Sequence, residues 1–279
     1  FCILPTGAGK SICYQIPALM FNGITIVISP LISLMKDQVD NLNSNGINAR
    51  YINSTQKLEV SDEIIELCKK GEVKLLYIAP EKLENEFFKR KLRLLNISQI
   101  AIDEAHCVSM WGHDFRKSYG LIAEFIDNLR IRPVVTAFTA TATEVVRKDV
   151  INLLKLRNPY ICIGSFDREN LEIKLYIEED KLELVKDIIR EREGESGIIY
   201  CATRKEVDGL YYYLKDLGYD VLKYHGGLKD SEKEFYQDEF LNENSNVMIA
   251  TNAFGMGIDK SNIRYIIHFT IPKNIEGYY

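Results

Sequence analysis

A glycine-rich segment near the start of the chain has the residue types and spacing of a phosphate-binding loop. Its sequence is Thr6-Gly7-Ala8-Gly9-Lys10-Ser11, between an apolar strand remnant and a helical pattern. Glycines let main-chain amides turn toward phosphate oxygens, and the N-terminus of the following helix adds partial positive charge. We therefore expect these six residues to bind ATP. Lys10 would reach the β- and γ-phosphates, and Ser11 would offer its hydroxyl to Mg²⁺.

One position departs from the general phosphate-loop pattern. That pattern places a glycine five residues before Gly9, where this chain has Leu4. The shorter Thr-Gly-x-Gly-Lys-Ser form fits without exception. Taken alone, the segment also fits an ordinary glycine-containing turn between a strand and a helix.

A pair of acids follows a later apolar run and supplies the chemistry that the loop lacks. Asp103 and Glu104 end the run Gln99-Ile-Ala-Ile, and His106 comes shortly after. Because ligands of this kind lie at the carboxyl ends of parallel strands, Asp103 would hold Mg²⁺ directly or through water. Glu104 would polarise the attacking water as a general base, and His106 would sense the phosphates. We thus expect Lys10, Asp103 and Glu104 to be catalytic. The alternative for the acids is a solvated acidic turn.

Apolar runs rich in Ile and Val alternate with amphipathic stretches along the chain. This pattern indicates parallel strands covered on both faces by helices, and hence an α/β fold. The predicted strands are 24–29, 75–79, 100–103, 134–139, 198–202, 247–251 and 265–269. The predicted helices are 31–42, 82–95, 144–156, 181–192 and 205–217.

The alternation is interrupted between 157 and 180, where Asn158-Pro159 and a Gly-Ser pair occur. A length of 279 residues suits two domains of about 140. We predict a first domain at 1–166 and a second, similar domain at 167–279.

Composition limits the class of protein. The net charge of −5 argues against a basic nucleic-acid coat protein, although it allows a local basic cleft. No apolar run approaches the ~20 residues of a membrane span, and Phe1-Cys2-Ile3-Leu4 does not resemble a signal peptide. The six scattered cysteines suggest reduced thiols, and the four scattered histidines argue against zinc in this chain. We expect a bacterial cytoplasmic protein associated with the nucleoid, with no membrane partner.

Further motifs then resemble those of one known family. After Asp103-Glu-Ala-His106, which resembles superfamily-two helicases (DEAH box), the run Cys107-Val-Ser-Met-Trp111-Gly-His113-Asp-Phe115-Arg116 resembles the aromatic-rich loop of RecQ DNA helicases. The remaining matches follow in the family's order, at 30–39, 79–83, 138–143, 200–204, 224–228 and 250–260. Two departures are Met110, where the family usually has a polar residue, and Gly226, where it commonly has Ala.

The resemblance implies a helicase core made of two tandem RecA-like domains, with ATP between them. It implies a 3′-to-5′ DNA helicase whose ATP hydrolysis drives translocation on single-stranded DNA and unwinding in DNA repair and recombination. Gly255 and Asp259 would lie near the ribose and phosphates. Thr139 and Thr141 would link the domains and, with His106, couple them, although simple turn capping is the alternative for the threonines.

The resemblance also implies which residues meet DNA. Trp111 and Phe115 would stack on bases, and Arg116 would pair with a phosphate or relay to the nucleotide. The polar neighbours of Trp111 favour an exposed segment over a core anchor. His225 would contact DNA or be a satisfied structural histidine. Predicted backbone contacts come from Lys36, Thr203, Arg204 and Thr251.

Parts of the family's machinery would lie outside this chain. An adenine-clamping motif would precede Phe1, and an arginine finger and accessory C-terminal domains would follow Tyr279. The implied behaviour of residues 1–279 alone is ATP binding with weak hydrolysis, by a monomer that acts on single-stranded DNA and duplex junctions. Two alternatives stay open: an RNA helicase with the same core, and a nucleic-acid-binding module that uses ATP only as a switch.

Overall fold

Two compact units make up the chain, at Phe1–Leu171 and Glu172–Tyr279. The computed structural model describes residues 1–53, 55–112, 115–165, 170–177, 180–252, 254, 260–272 and 278. The predicted domain boundary between 166 and 167 falls outside these residues. Within them, no helix combines the length and apolar character that a membrane span requires.

The first unit is built around one parallel sheet. Its strands in the described residues are β1 (Cys2–Ile3), β2 (Ile24–Ile28), β3 (Ala49–Ile52), β4 (Leu75–Ile78), β5 (Ile97–Ile102), β6 (Val134–Thr139) and β7 (Cys162–Ile163). They are arranged in the order β3-β4-β2-β5-β6-β1-β7, and each neighbouring pair is parallel. The α-helices are α1 (Lys10–Met20), α2 (Ile32–Ser44), α3 (Leu58–Lys69), α4 (Glu86–Leu92), α5 (Gly120–Asp127) and α6 (Glu144–Leu153).

Alternation along the central strands explains why both faces of this sheet are covered. Ile26 and Ile28 of β2 pack into one hydrophobic cluster, whereas Val27 between them packs into another. Successive side chains of a strand point to opposite faces, so a strand buried on both sides needs an unbroken apolar run. All five residues of β2 are buried.

The second unit repeats the arrangement on a smaller scale. Its described strands are β8 (Ser196–Tyr200), β9 (Val221–Tyr224), β10 (Val247–Ala250) and β11 (Ile263–His268), parallel and in the order β11-β8-β10-β9. Its described helices are α7 (Lys181–Glu191), α8 (Arg204–Asp216) and α9 (Asp230–Leu241). The predicted α/β fold with two parallel-sheet domains is therefore confirmed.

The single helix predicted at 82–95 is wrong. A 3₁₀ turn at Pro80–Glu84 is followed by the separate helix α4. The break lies at Asn85, whose extended backbone leaves the helical region and whose side chain accepts a hydrogen bond from the Phe88 amide at 3.1 Å. Asparagine is a preferred N-cap, so the helix begins again there.

Candidate nucleotide and nucleic-acid site

Four neighbouring strands of the first unit, β2, β5, β6 and β1, end at the same edge of the sheet. Ser29, Asp103 and the phosphate loop follow directly at this edge, and Thr139 ends β6. Main-chain hydrogen bonds join these ends: the Asp103 amide donates to Ile28 O at 2.8 Å, and the Leu4 amide donates to Thr139 O at 3.1 Å. The sheet thus brings the predicted phosphate loop and the predicted acids together, at the place where parallel sheets bind ligands.

The phosphate loop has the backbone conformation that its glycines allow. Gly7 and Gly9 have φ of 83° and 78°, in the left-handed region that favours glycine. Gly9 is also the N-cap of α1, and no side chain caps that helix. The Ile12 amide donates to the Gly9 carbonyl at 3.0 Å, so the amides of Lys10 and Ser11 are the ones this helix start offers to an anion. Thr6, Gly7 and Ala8 are exposed, and Ser11 is half-buried.

Leu4 and Lys10 flank this loop and define its shape. The Lys10 ammonium donates to the main-chain carbonyls of Leu4, at 3.1 Å, and Pro5, at 3.4 Å. The Leu4 side chain packs against Gly164, where an added Cβ would lie 2.8 Å from Leu4 Cδ2. The departure from the general pattern at Leu4 is thus accommodated by a glycine that follows β7.

Asp103 is a buried acid at the end of β5, with 8% of its surface exposed. Burial and then the negative charge of Glu104 raise the pKa of its carboxyl to about 7, while the Glu104 amide, Lys10 and Ser29 oppose that rise. Ser29 Oγ donates to Asp103 Oδ2 at 3.3 Å, and the Tyr119 hydroxyl donates to the Asp103 carbonyl at 2.8 Å. Ser29 and Tyr119 are not among the site residues predicted from the sequence. Ser29 is the last residue of the predicted strand 24–29, and this position at a strand end was the available signal for it.

The raised pKa of Asp103 makes a prediction about stability. The folded chain holds a proton on Asp103 up to about pH 7, whereas the unfolded chain releases it near the ordinary value of 3.8. Stability from this group is therefore present at low pH and lost as pH rises toward 7. In the absence of Mg²⁺ and nucleotide, Asp103→Asn should raise the melting temperature at pH 8 by several degrees, at about 2–4 °C per kcal/mol, and change it little at pH 4.5. An equal effect at both pH values would contradict the assignment.

Glu104 adopts an unusual backbone conformation, with φ 46° and ψ 47°. A non-glycine residue in the left-handed region is uncommon, and such residues cluster at functional sites. Its side chain is about a quarter exposed, and Oε2 lies 3.2 Å from His106 Nδ1. In this turn the Glu104 carboxylate contacts the imidazole of His106.

His106 connects this turn to the end of β6. Its Nδ1 lies 2.9 Å from Thr139 Oγ1, and that hydroxyl donates to the Thr141 carbonyl at 2.9 Å. Because the threonine proton is already used, Thr139 Oγ1 accepts from Nδ1–H, which assigns the imidazole tautomer. Capping of α6 falls to Thr143, whose side chain accepts from Val146 N. The three predicted coupling residues thus form one hydrogen-bonded network.

The residues present fit a magnesium ion that keeps water and phosphate ligands. Lys10 and Glu104 each perturb the pKa of Asp103, and Ser11 is hydrogen-bonded to Tyr14, whose pKa Asp103 also raises. Ser11, Lys10 and Asp103 therefore interact with one another or with the same neighbour, Tyr14, at the carboxyl edge of the sheet. Among the described residues, no group of three or more His, Cys, Asp or Glu side chains forms a metal cage. Mg²⁺ typically binds through one or two carboxylates plus substrate phosphates, which this arrangement allows.

The segment after His106 presents aromatic side chains to solvent. Trp111 is 77% exposed and Phe115 is 42% exposed, so the predicted exposed position of Trp111 is confirmed and a core anchor is excluded. Arg116 Nη1 donates to the Pro30 carbonyl at 3.2 Å. This places Arg116 beside the start of α2, on which the exposed Lys36 lies.

In the second unit the predicted contacts also follow the carboxyl ends of strands. Arg204 is exposed and lies over a glycine turn, where a Cβ on Gly227 would be 3.1 Å from Arg204 Cδ. Thr203 is the N-cap of α8 in a capping box with Glu206, which gives it a structural role. The half-buried Thr251 donates its amide to Tyr224 O at 3.1 Å. Gly255 and Asp259 lie outside the described residues.

His225 is held from both ring nitrogens. Nδ1 accepts from the Gly227 amide at 3.1 Å, and Nε2 lies 3.4 Å from Asp208 Oδ1. The Asp208 carboxylate also pairs with Lys223 at 2.6 Å. With 5% of its surface exposed, His225 fits the structural alternative better than a DNA contact.

Comparison with known proteins agrees with this geometry. Residues 1–149 match the DEAD/DEAH box helicase model, and residues 180–279 match the helicase conserved C-terminal domain. The ATP-dependent DNA helicase RecQ of Bacillus subtilis is 51% identical over 278 residues, and that of Pasteurella multocida is 45% identical over 277. These matches cover 100% and 99% of this chain but 47% and 44% of the relatives, so the chain spans about half their length.

Solved structures share the fold. Saccharomyces cerevisiae Dbp5 bound to RNA and ADP BeF3 aligns with a TM-score of 0.75 over 99% of this chain and 71% of that one. At 20% identity, this likeness concerns the fold alone.

Proposed function

This chain belongs to the DEAD/DEAH box helicase family, and we propose that it is the motor core of an ATP-dependent DNA helicase of the RecQ type. In this proposal, ATP hydrolysis drives 3′-to-5′ translocation on single-stranded DNA and duplex unwinding. One observation carries it: Asp103, Glu104 and the exposed Trp111 belong to one segment, residues 103–112, whose turns are closed by main-chain hydrogen bonds. A change at the nucleotide therefore has a short covalent and hydrogen-bonded route to a base-stacking side chain.

We assign the nucleotide chemistry to the first unit. The Lys10 ammonium and the amides of residues 6–11 would hold the phosphates, except the Ala8 amide, which donates to the Pro5 carbonyl at 3.2 Å. The start of α1, which no side chain caps, would add favourable charge. Glu104 would accept the proton of the attacking water. Ser11 and Asp103 would hold Mg²⁺, which would neutralise charge that develops on the phosphates. Gly255 and Asp259 of the second unit stay proposed contacts to the nucleotide.

His106, Thr139 and Thr141 are the proposed coupling residues. The imidazole of His106 touches the Glu104 carboxylate and the Thr139 hydroxyl at once. A shift of Glu104 during hydrolysis would therefore change the partners of the imidazole and, through it, the end of β6. The main-chain carbonyl of His106 lies against Gly112, which follows Trp111.

We assign DNA binding to the exposed aromatic and basic groups. Trp111 and Phe115 offer faces on which bases stack regardless of sequence. Arg116 and Lys36 in the first unit, and Thr203, Arg204 and Thr251 in the second, are proposed contacts to the DNA backbone. The net charge of −5 means that affinity must come from these local groups rather than from the whole surface.

The two alternatives have less support. The relatives at 51% and 45% identity are DNA helicases by name, whereas the RNA-bound Dbp5 shares only the fold at 20%. A switch without hydrolysis would not need Glu104 in a strained conformation beside Asp103. We further propose a bacterial cytoplasmic, nucleoid-associated protein that acts as a monomer in DNA repair and recombination, on single-stranded DNA and duplex junctions.

The experiment that tests the function measures ATP hydrolysis and unwinding by the intact protein. Single-stranded DNA should stimulate hydrolysis, and an RNA strand of matched sequence should compete poorly. A duplex with a 3′ single-stranded tail should be unwound in preference to one with a 5′ tail. Stimulation of hydrolysis by RNA equal to that by DNA would favour the RNA helicase. Binding of ATP and DNA with neither stimulated hydrolysis nor unwinding would favour the switch.

A further inference from the structure

Ser109 is the first residue of the turn that carries the single tryptophan of this chain. We call residues 109–112 the tryptophan turn. Ser109 is fully buried. Its amide donates to the His106 carbonyl at 3.1 Å, and its own carbonyl accepts from the Gly112 amide at 3.0 Å.

The Ser109 hydroxyl ties this turn to a helix that is distant in sequence. It donates to Asp149 Oδ2 of α6 at 2.6 Å and accepts from the Trp111 amide at 3.1 Å. A carboxylate only accepts, so the directions of both hydrogen bonds are fixed. The bond to Asp149 is short and charge-assisted, the stronger kind of hydrogen bond.

Close packing connects the same turn to the nucleotide edge. A Cβ on Gly112 would lie 2.3 Å from the His106 carbonyl oxygen, so the backbone of the turn rests directly on His106. The imidazole of His106 contacts Glu104 and Thr139. Four residues separate the end of β6 at Thr139 from the start of the helix that carries Asp149. The tryptophan turn thus contacts His106 on one side and α6 on the other.

Trp111 needs such an anchor because packing does not hold it. With 77% of its surface exposed, its side chain gains little from burial. The backbone of residues 109–112 therefore sets the direction in which this side chain leaves the turn. The Ser109 side chain links this backbone to α6 through its hydrogen bond to Asp149.

We propose that Asp149 is a positioning residue, which holds the main chain of Trp111 through the Ser109 hydroxyl. This position of Trp111 allows DNA binding to stimulate ATP hydrolysis. The role of Asp149 in holding Trp111 rests on the contacts above, whereas its effect on DNA-stimulated hydrolysis rests on the proposed function. Asp149 itself contacts neither DNA nor nucleotide in this scheme. Its loss should loosen the turn and leave the phosphate loop unchanged.

Three single variants, one double variant and one control isolate the contact. Asp149→Ala removes the acceptor, and Ser109→Ala removes the hydroxyl from the other side. Asp149→Asn keeps an acceptor oxygen and should retain most of the wild-type behaviour. Glu144→Ala is the matched control, since it removes an exposed carboxylate of the same helix that pairs with Lys148 at 2.8 Å. The double variant of Ser109 and Asp149 should be no worse than either single variant, because both remove one interaction.

The direct readout is time-resolved fluorescence anisotropy of Trp111 in the 279-residue chain, where no other tryptophan contributes. Asp149→Ala and Ser109→Ala should increase the amplitude of fast local motion, and Glu144→Ala should match wild type. If Asp149→Ala does not fold, Ser109→Ala gives the same comparison. Fast motion equal to wild type in both folded variants would overturn the proposal.

The second readout is ATP hydrolysis by the intact protein. Basal turnover should stay near wild type in Asp149→Ala, whereas the maximal stimulation by single-stranded DNA should fall about tenfold, the effect of one charge-assisted hydrogen bond. The DNA concentration at half-maximal stimulation should change less, since Trp111 itself remains. Full stimulation in a variant with increased motion would overturn the role in transmission. Absence of stimulation in the wild type would instead overturn the proposed function, while the anisotropy still decides whether Asp149 holds Trp111.

Discussion

Replacing Glu104 with Gln should lower the rate of ATP hydrolysis about 10²–10⁴-fold and leave ATP binding intact, because a general base contributes about that much. Glutamine keeps the length and shape of the side chain but does not take up the water proton. Its amide oxygen can still accept from His106 Nδ1, which lies 3.2 Å from the carboxylate. The local network should therefore survive, and the loss should be chemical rather than structural.

The measurement needs to separate chemistry from binding. Single-turnover hydrolysis reports the chemical step, and a fluorescent nucleotide reports affinity. Glu84→Gln is a suitable control, since it alters an exposed carboxylate of the same unit. A hydrolysis rate within about threefold of wild type would remove Glu104 from the role of base and leave it as a structural acid.

A second consequence of this substitution follows from the coupling between the two acids. The charge of Glu104 helps to raise the pKa of Asp103 to about 7. Without that charge, Asp103 should ionise at a lower pH. Glu104→Gln should then bind Mg²⁺ with a pH dependence shifted toward acid, since a carboxylate ligand must be deprotonated. The two acids thus have different environments, and the pKa of the buried Asp103 depends on the charge of the partly exposed Glu104.

The sequence contained most of what identifies the nucleotide edge. Lys10, Asp103, Glu104 and His106 each belong to a short motif at the end of an apolar run, and each lies at the carboxyl edge of the sheet. The sequence relatives confirm the RecQ resemblance drawn from these motifs. The individual roles of the residues stay predictions.

The partners of those residues were beyond the sequence pattern. Ser29, Tyr119 and Asp149 come into contact with the motifs because β2, β5, β6 and β1 are neighbours, and linear spacing does not give that order. Strands β3, β7 and β9 were also missed, since β7 has only two residues and the apolar runs of β3 and β9 are interrupted by Arg50 and Lys223. The sequence predicts the residues of each short motif, but the contacts between distant segments depend on the order of the strands in the sheet.

Replacing Trp111 with Ala should reduce stimulation of ATP hydrolysis by single-stranded DNA about 5- to 150-fold, the range given by the loss of one base stack worth about 1–3 kcal/mol. Nucleotide affinity should not change, because the phosphate loop and the acids belong to other segments. Trp111→Phe should retain part of the stimulation through its smaller ring. Phe115→Ala should have a smaller effect, since Phe115 is 42% exposed against 77% for Trp111.

Met110 provides the matched control for this experiment. It neighbours Trp111, is equally exposed at 77%, and is apolar but not aromatic. If bases stack on the ring, Met110→Ala should leave stimulation near wild type while Trp111→Ala removes it. If the turn merely offers apolar surface, both substitutions should weaken stimulation to a similar degree. Unchanged stimulation in Trp111→Ala would show instead that DNA acts through the basic groups alone. The contacts that link Glu104, His106 and the tryptophan turn would then have no part in the coupling of DNA binding to ATP hydrolysis.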